Sequence, residues 1–248
     1  MATTVSFAVG SAAGRRVVSV PYERTGSGEP LVLLHGIGHH RQAWDPVLRI
    51  LAAERDVITV DLPGSGASAA LPEGLAHDVR TMTAVLGSFF DTLGVVRPHV
   101  AGNALGGLLV LELGRKGLVR PVTALSPAGF RTRNERRYAF GVLRATGGTA
   151  LSTPMPMIER LSSSSPGRTA STSTIYARPG RRSSGAVAPE AVTLREATGF
   201  RQAPEAGPTV VFTDDVPDVP VTLAWGSEDR LLLRRQGVRA VRASGPST

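Results

Sequence analysis

The residues with the most chemical content form a short turn, Gly102-Asn103-Ala104-Leu105-Gly106-Gly107, set between an apolar strand pattern and an apolar helix pattern. A turn of the G-x-S-x-G type forces its central residue into a strained, exposed position at the C-terminal edge of a sheet. The flanking glycines are needed because the strand and helix backbones nearly touch there. A hydroxyl at the centre of such a turn attacks acyl carbons. This chain has Ala104 there, and a methyl group cannot attack. Taken alone, the turn also fits an ordinary glycine-rich connection between a strand and a helix.

A second glycine-bearing turn, His35-Gly36-Ile37-Gly38, follows the buried-strand pattern Pro30–Leu34. In an open parallel sheet both turns fall on the same ligand-binding edge. The backbone N–H groups of Ile37 and Leu105 can then converge on a developing oxyanion. His35, Gly36 and Asn103 are expected beside them as binding residues, with His35 suited to orienting its loop. A third marker, Trp225-Gly226-Ser227-Glu228-Asp229, also ends a strand pattern, and Asp229 sits where an acid can orient a histidine. A solvated turn carboxylate is the alternative to that role. Ser65, Ser126, His39 and His40 also fall near this edge, but neither serine lies in the glycine-flanked turn. His39-His40 lacks a carboxylate at ligand spacing, so no metal site is expected. Gly64-Ser65-Gly66 lacks the further spacing of a dinucleotide fingerprint, and no Gly-Lys-Ser/Thr phosphate turn is present.

These turns need a scaffold of alternating strands and helices. Strand patterns occur at Val5–Val9, Val17–Tyr22, Pro30–Leu34, Asp56–Val60, Pro98–Ala101, Val122–Leu125 and Pro220–Trp225. Helical spacing links Trp44, Val47, Leu48 and Leu51, and it recurs over Gly74–Leu93, Leu108–Arg115 and Leu232–Arg242. Such alternation predicts an α/β fold, a mostly parallel sheet with helices on both faces. The pattern breaks over Pro127–Asp218. Helices are expected there at Arg133–Arg144, Leu151–Leu161 and Pro189–Thr198, with a flexible Ser162–Gly185 between them.

The 248 residues, 42% of them hydrophobic, suit one sizeable domain with an insertion. No apolar run reaches the roughly 18 residues of a membrane span, and the first residues do not read as a secretory signal. The expectation is a cytoplasmic protein without membrane contact. The net charge of +8 comes almost wholly from arginine, with Lys116 the single lysine. The arginines are scattered and not interleaved with aromatic residues, which argues against nucleic-acid binding. The absence of cysteine excludes disulfides and thiol catalysis.

Taken in order, His35-Gly36, Asp61-Leu-Pro-Gly-Ser-Gly66, Gly102-Asn-Ala-Leu-Gly-Gly107 and Gly226-Ser-Glu-Asp229 resemble the α/β-hydrolase fold family from about Gly28 to Arg242. The resemblance implies a core over 1–126, an inserted, mainly helical cap over 127–218 and the end of the core over 219–248. It implies a parent activity of ester, amide or related acyl hydrolysis, through an acyl-enzyme on serine and without a cofactor. It places Ala104 at the nucleophile position and Asp229 at the acid. The family's histidine follows the acid, after one more strand, whereas His35, His39, His40, His77 and His99 all precede the turn. The last strand and helix are therefore expected to be missing, leaving Val221–Trp225 as an open sheet edge through which copies self-associate. Losing a triad member leaves roughly 10³–10⁴-fold catalysis over water, so an inactive or severely impaired chain is expected. The partner is expected to be a small apolar or ester-like molecule, and the alternative function is a non-catalytic binder of such a ligand.

Overall fold

The computed structural model describes residues 2–11, 14–130, 134–135, 138, 172–177, 219–226, 229 and 233–243, with 172–177 described through the backbone alone. The elements run β1 (Thr3–Ser11), β2 (Gly14–Thr25), β3 (Pro30–Leu34), a 3₁₀ turn (Arg41–Trp44), α1 (Asp45–Leu51), β4 (Asp56–Val60), α2 (Val79–Thr92), β5 (His99–Asn103), α3 (Leu105–Arg115), β6 (Val122–Leu125), β7 (Thr172–Ala177), β8 (Val221–Gly226) and α4 (Arg234–Ala243). Among the described residues eight strands form one sheet in the order β1-β2-β4-β3-β5-β6-β8-β7. The pairs β1–β2 and β2–β4 are antiparallel and the remaining pairs are parallel. This is the α/β-hydrolase fold, a mostly parallel sheet with helices.

The strand sequences explain the layering. Side chains alternate across a strand, so a continuous apolar run serves a sheet covered on both faces. In β3, Val32 and Leu34 join the larger core with α2 and α3, while Leu31 and Leu33 join a smaller core with Trp44 and Val57. Val47, Leu48 and Leu51 of α1 pack against that second cluster. On the larger side, Phe89 meets Phe7, Tyr22 and Phe90 at centroid distances of 6.4, 5.6 and 6.0 Å, locking α2 onto β1 and β2.

Two helix starts and one strand depart from the expectation. Helix α2 starts at Val79, not Gly74, because Asp78 caps it by accepting the Thr81 N–H at 2.7 Å. Helix α3 starts at Leu105, not Leu108, because the turn residue Ala104 is itself its cap. Residues 172–177 form a strand inside the stretch expected to be flexible. Thr172-Ser-Thr-Ile-Tyr-Ala177 is a short run rich in β-branched and aromatic residues, and its polar surroundings hide it in a compositional reading.

This strand also corrects the expected sheet edge. β8 pairs with β6 on one side and with β7 on the other, from Thr172↔Val221 to Ala177↔Gly226. Val221–Trp225 is therefore not an open edge, and 172–177 belongs to the central sheet, not to a cap. The helices expected at Leu151–Leu161 and Pro189–Thr198 lie outside the described residues. Of Arg133–Arg144 only Asn134, Glu135 and Tyr138 are described, all three helical. No helix among the described residues is long and apolar enough to cross a membrane.

Candidate active site

The turn between β5 and α3 has the geometry that its glycines require. Ala104 sits at φ 50° and ψ −105°, a conformation that residues with a side chain rarely adopt. A methyl group on Gly102 would stand 2.8 Å from the Gly107 nitrogen and closer still to the Gly106 carbonyl. One on Gly106 would stand 2.7 Å from the Leu34 carbonyl carbon and 2.8 Å from the His35 oxygen. Only glycine lets β3, β5 and α3 meet here. Backbone bonds hold Ala104 in place: its N–H donates to the Leu125 carbonyl at 3.0 Å, and its carbonyl accepts from Leu108 at 3.1 Å and Ala128 at 2.9 Å.

The loop after β3 lies against this turn. A methyl group on Gly36 would stand 3.2 Å from the Ala104 Cβ and 3.3 Å from the Asn103 Oδ1. The Gly36 carbonyl is fixed by two donors, His35 Nδ1 at 2.8 Å and the His39 N–H at 3.2 Å. Because a trans peptide sets its C=O and N–H in opposite directions, pinning this oxygen also fixes the direction of the Ile37 N–H. Among the described residues, the N–H groups of Ile37 and Leu105 have no protein acceptor. Leu105 follows Ala104 directly, and Ile37 follows Gly36, the residue that lies against Ala104.

His35 has a different place from the one expected. It is 1% exposed, and its Nε2 accepts the Leu62 N–H at 3.0 Å, which leaves the proton on Nδ1. Burial lowers its pKa to about 4, with neighbouring His39 and His40 adding to the effect against the Gly36 carbonyl and Asp61. His35 is therefore a neutral bracket between the loops after β3 and β4, not a surface that a ligand touches. Both ring nitrogens are engaged within the protein, one on each loop. Asn103 is half-buried and donates weakly to the Leu125 carbonyl at 3.4 Å, while Gly36 is buried against the turn.

Sequence reasoning missed two supporting residues. The fully buried Asp61 carboxylate accepts from the Arg41 N–H at 2.7 Å and the Ala67 N–H at 3.0 Å, and it also pairs with the Arg41 guanidinium. Arg41 reaches Glu23 at 3.6 Å as well. Gly66 has no room for a side chain beside Asp61, where a methyl group would stand 2.6 Å from the carboxylate oxygens. The signal in the sequence was Asp61-Leu-Pro-Gly-Ser-Gly66, whose carboxylate and glycines serve one another.

On the far side of the turn, Asn103, Leu125 and Ala224 lie in one register row across β5, β6 and β8. Asp229 follows β8 in a turn closed by its N–H to the Gly226 carbonyl at 3.3 Å. It lies on the same edge as Ala104, two strands away. Ser126 begins the loop after β6, is 4% exposed and adopts φ 42°. Although it lies outside the glycine-flanked turn, its own backbone is strained, a feature its sequence context did not reveal. His77 accepts the Leu71 N–H at 3.3 Å, and His99 opens β5 at the opposite edge of the sheet, bonded to Thr123 at 2.9 Å. His39 and His40 stay on the loop after β3, His40 Nδ1 lying 2.6 Å from the Gln42 Oε1. Among the described residues no group of three histidine, cysteine or carboxylate side chains is placed to hold a metal.

Comparison with known proteins agrees with this geometry. A family model described as the alpha/beta hydrolase family matches residues 31–247. The (E)-2-((N-methylformamido)methylene)succinate hydrolase of Acinetobacter baylyi is 33% identical over 119 residues, 46% of this chain and 44% of that protein. The dihydrolipoyllysine-residue acetyltransferase component of the acetoin cleaving system of Pseudomonas putida is 35% identical over 133 residues, 52% of this chain and 35% of that protein. The chain thus spans less than half the length of these curated relatives. In structure, the N-formylmaleamic acid deformylase of Pseudomonas putida S16 superposes with a TM-score of 0.60 over 96% of this chain and 88% of that one, at 14% identity, which speaks to the fold alone. By its motifs, its sheet and the matched family model, the chain belongs to the alpha/beta hydrolase family.

Proposed function

We propose that this chain carries the site of a serine acyl hydrolase whose parent reaction is cleavage of an ester, amide or related acyl bond, and that it is itself inactive or severely impaired. The observation that carries this reading is Ala104, held at φ 50° between Gly102 and Gly106 with the N–H groups of Ile37 and Leu105 beside it. The turn supplies the place and the conformation of a nucleophile, and the methyl group supplies no proton to remove and no lone pair. In the parent reaction a hydroxyl at this position would add to the acyl carbon, and the oxyanion would rest on the two N–H groups. Asp229 would orient a histidine that takes and returns the proton. Such a histidine would follow Asp229, and the last histidine of this sequence is His99.

A second reading is favoured by the state of the oxyanion loop. Among the described residues its donors have no protein acceptor, so the site suits a small acyl ligand bound without turnover. Both readings are tested with p-nitrophenyl butyrate and the purified, unmodified chain. The expected result is release of p-nitrophenol no faster than a rate roughly 10³–10⁴-fold above water, the level left by oxyanion donors and binding alone. Turnover of more than about one per second, typical of working enzymes, overturns the proposal.

A further inference from the structure

Three residues other than glycine have positive φ among the described residues: Arg97, Ala104 and Ser126. Arg97 belongs to the turn that enters β5 at the edge of the sheet away from the site. The other two lie side by side. The residue before Ser126, Leu125, accepts the Ala104 N–H at 3.0 Å, and the residue two after it, Ala128, donates to the Ala104 carbonyl at 2.9 Å. Ser126 itself is held by its N–H to the Ala224 carbonyl at 2.6 Å, so its backbone is fixed between β6 and β8.

Strain of this kind persists where surrounding structure enforces it, and it gathers at functional sites. The hydroxyl adds a second, independent observation. Ser126 is 4% exposed, yet among the described residues its hydroxyl has no hydrogen-bond partner. A buried polar group without a partner calls for a water or a ligand. The Ser126 hydroxyl is not among the unpartnered polar atoms sealed from solvent, so it keeps a narrow opening where a ligand oxygen would take the place of a water.

We propose that Ser126 is a ligand-contacting residue of this site, its hydroxyl anchoring one oxygen of a small carboxylic ester or its acid while the Ile37 and Leu105 N–H groups hold the other. This rests on the reading of the pocket as an acyl site. The two backbone groups are donors only and suit a carbonyl or carboxylate oxygen. A serine hydroxyl both donates and accepts, so it serves an ester oxygen and a carboxylate oxygen alike. No covalent step is involved.

The test is binding of methyl butyrate and of butyrate, followed by ligand-observed NMR titration on the unmodified chain and on Ser126→Ala and Ser126→Gly. Alanine removes the hydroxyl and keeps the strain. Glycine removes both. The expected result is a rise in Kd of about three- to tenfold for both probes in both variants, the range of one neutral hydrogen bond, with Ser126→Gly melting at a higher temperature than Ser126→Ala. Unchanged Kd in the variants overturns the role of Ser126 and leaves the acyl pocket standing. Failure of the unmodified chain to bind either probe overturns both. If Ser126→Ala does not fold, the glycine variant carries the comparison.

Discussion

Replacing Gly106 by alanine sets a favourable local term against an unfavourable tertiary one, and the structure decides between them. Gly106 is the second residue of α3, where alanine gains about 1 kcal/mol of helix propensity over glycine. Burying the added methyl group contributes about 0.8 kcal/mol more. Against this, the new carbon would sit 2.7 Å from the Leu34 carbonyl carbon and 2.8 Å from the His35 oxygen. These are backbone atoms, and no rotamer change moves them. Leu34 is held on both sides, opposite Val60 in β4 and Gly102 in β5. Relief requires parting the end of β3 from the start of α3, at the upper end of the 1–3 kcal/mol that overpacking usually costs, or about 4–5 kcal/mol with two strands displaced. The net expectation is destabilisation by about 2–3 kcal/mol, a large share of the roughly 5–15 kcal/mol that holds a domain together. Gly117→Ala is the control. Its methyl group meets nothing within 4 Å, so only the φ of 68° resists it, a cost of about 1 kcal/mol. Urea unfolding followed by circular dichroism measures both. A Gly106→Ala variant within about 0.5 kcal/mol of the parent, the range of a neutral surface change, would refute the claim that backbone contact dictates this glycine.

Other outcomes follow from the supporting residues. His35 is neutral in the folded protein, with a pKa of about 4 against 6.5 when unfolded. Between these values the unfolded chain binds the extra proton, so stability is fully present above pH 6.5 and falls as pH drops toward 4. Linkage gives a loss of about 2 kcal/mol between pH 7.5 and pH 5. A flat or rising urea midpoint over that range contradicts the buried, neutral assignment. Asp61→Asn removes the charge opposite Arg41, whose side chain is 11% exposed, and should cost about 3 kcal/mol by the same assay. A loss under 1 kcal/mol would show that the pair is not what ties the 3₁₀ turn to the loop after β4.

The parts of the fold legible in the sequence were those written in local pattern. The apolar runs of β3 and β4 and the helical spacing of α2 depend on neighbours a few residues apart. The strand–glycine–helix sequence around Ala104 likewise carries its own geometry. The parts that stayed hidden depend on contacts made only after folding. Arg41 meets Asp61 across 20 residues, and His35 bridges to Leu62 across 27. β7 enters the sheet by pairing with β8, whose first residue lies 49 positions beyond Thr172, so the open edge at Val221–Trp225 was a false inference from order along the chain. For the site, the strained turn at Ala104 was readable because glycine spacing announces it. Ser126 was visible as a residue near the edge, but its strain arises from β6, β8 and the turn acting together.

The central claim is that the site around Ala104 holds no activated nucleophile. Intact-mass spectrometry of the unmodified chain after incubation with a fluorophosphonate probe measures this directly, because the probe adds its phosphonyl group only to an activated nucleophile. The account predicts an unchanged protein mass at long incubation. A stoichiometric increase by one phosphonyl group, mapped to any residue of the chain, would contradict it.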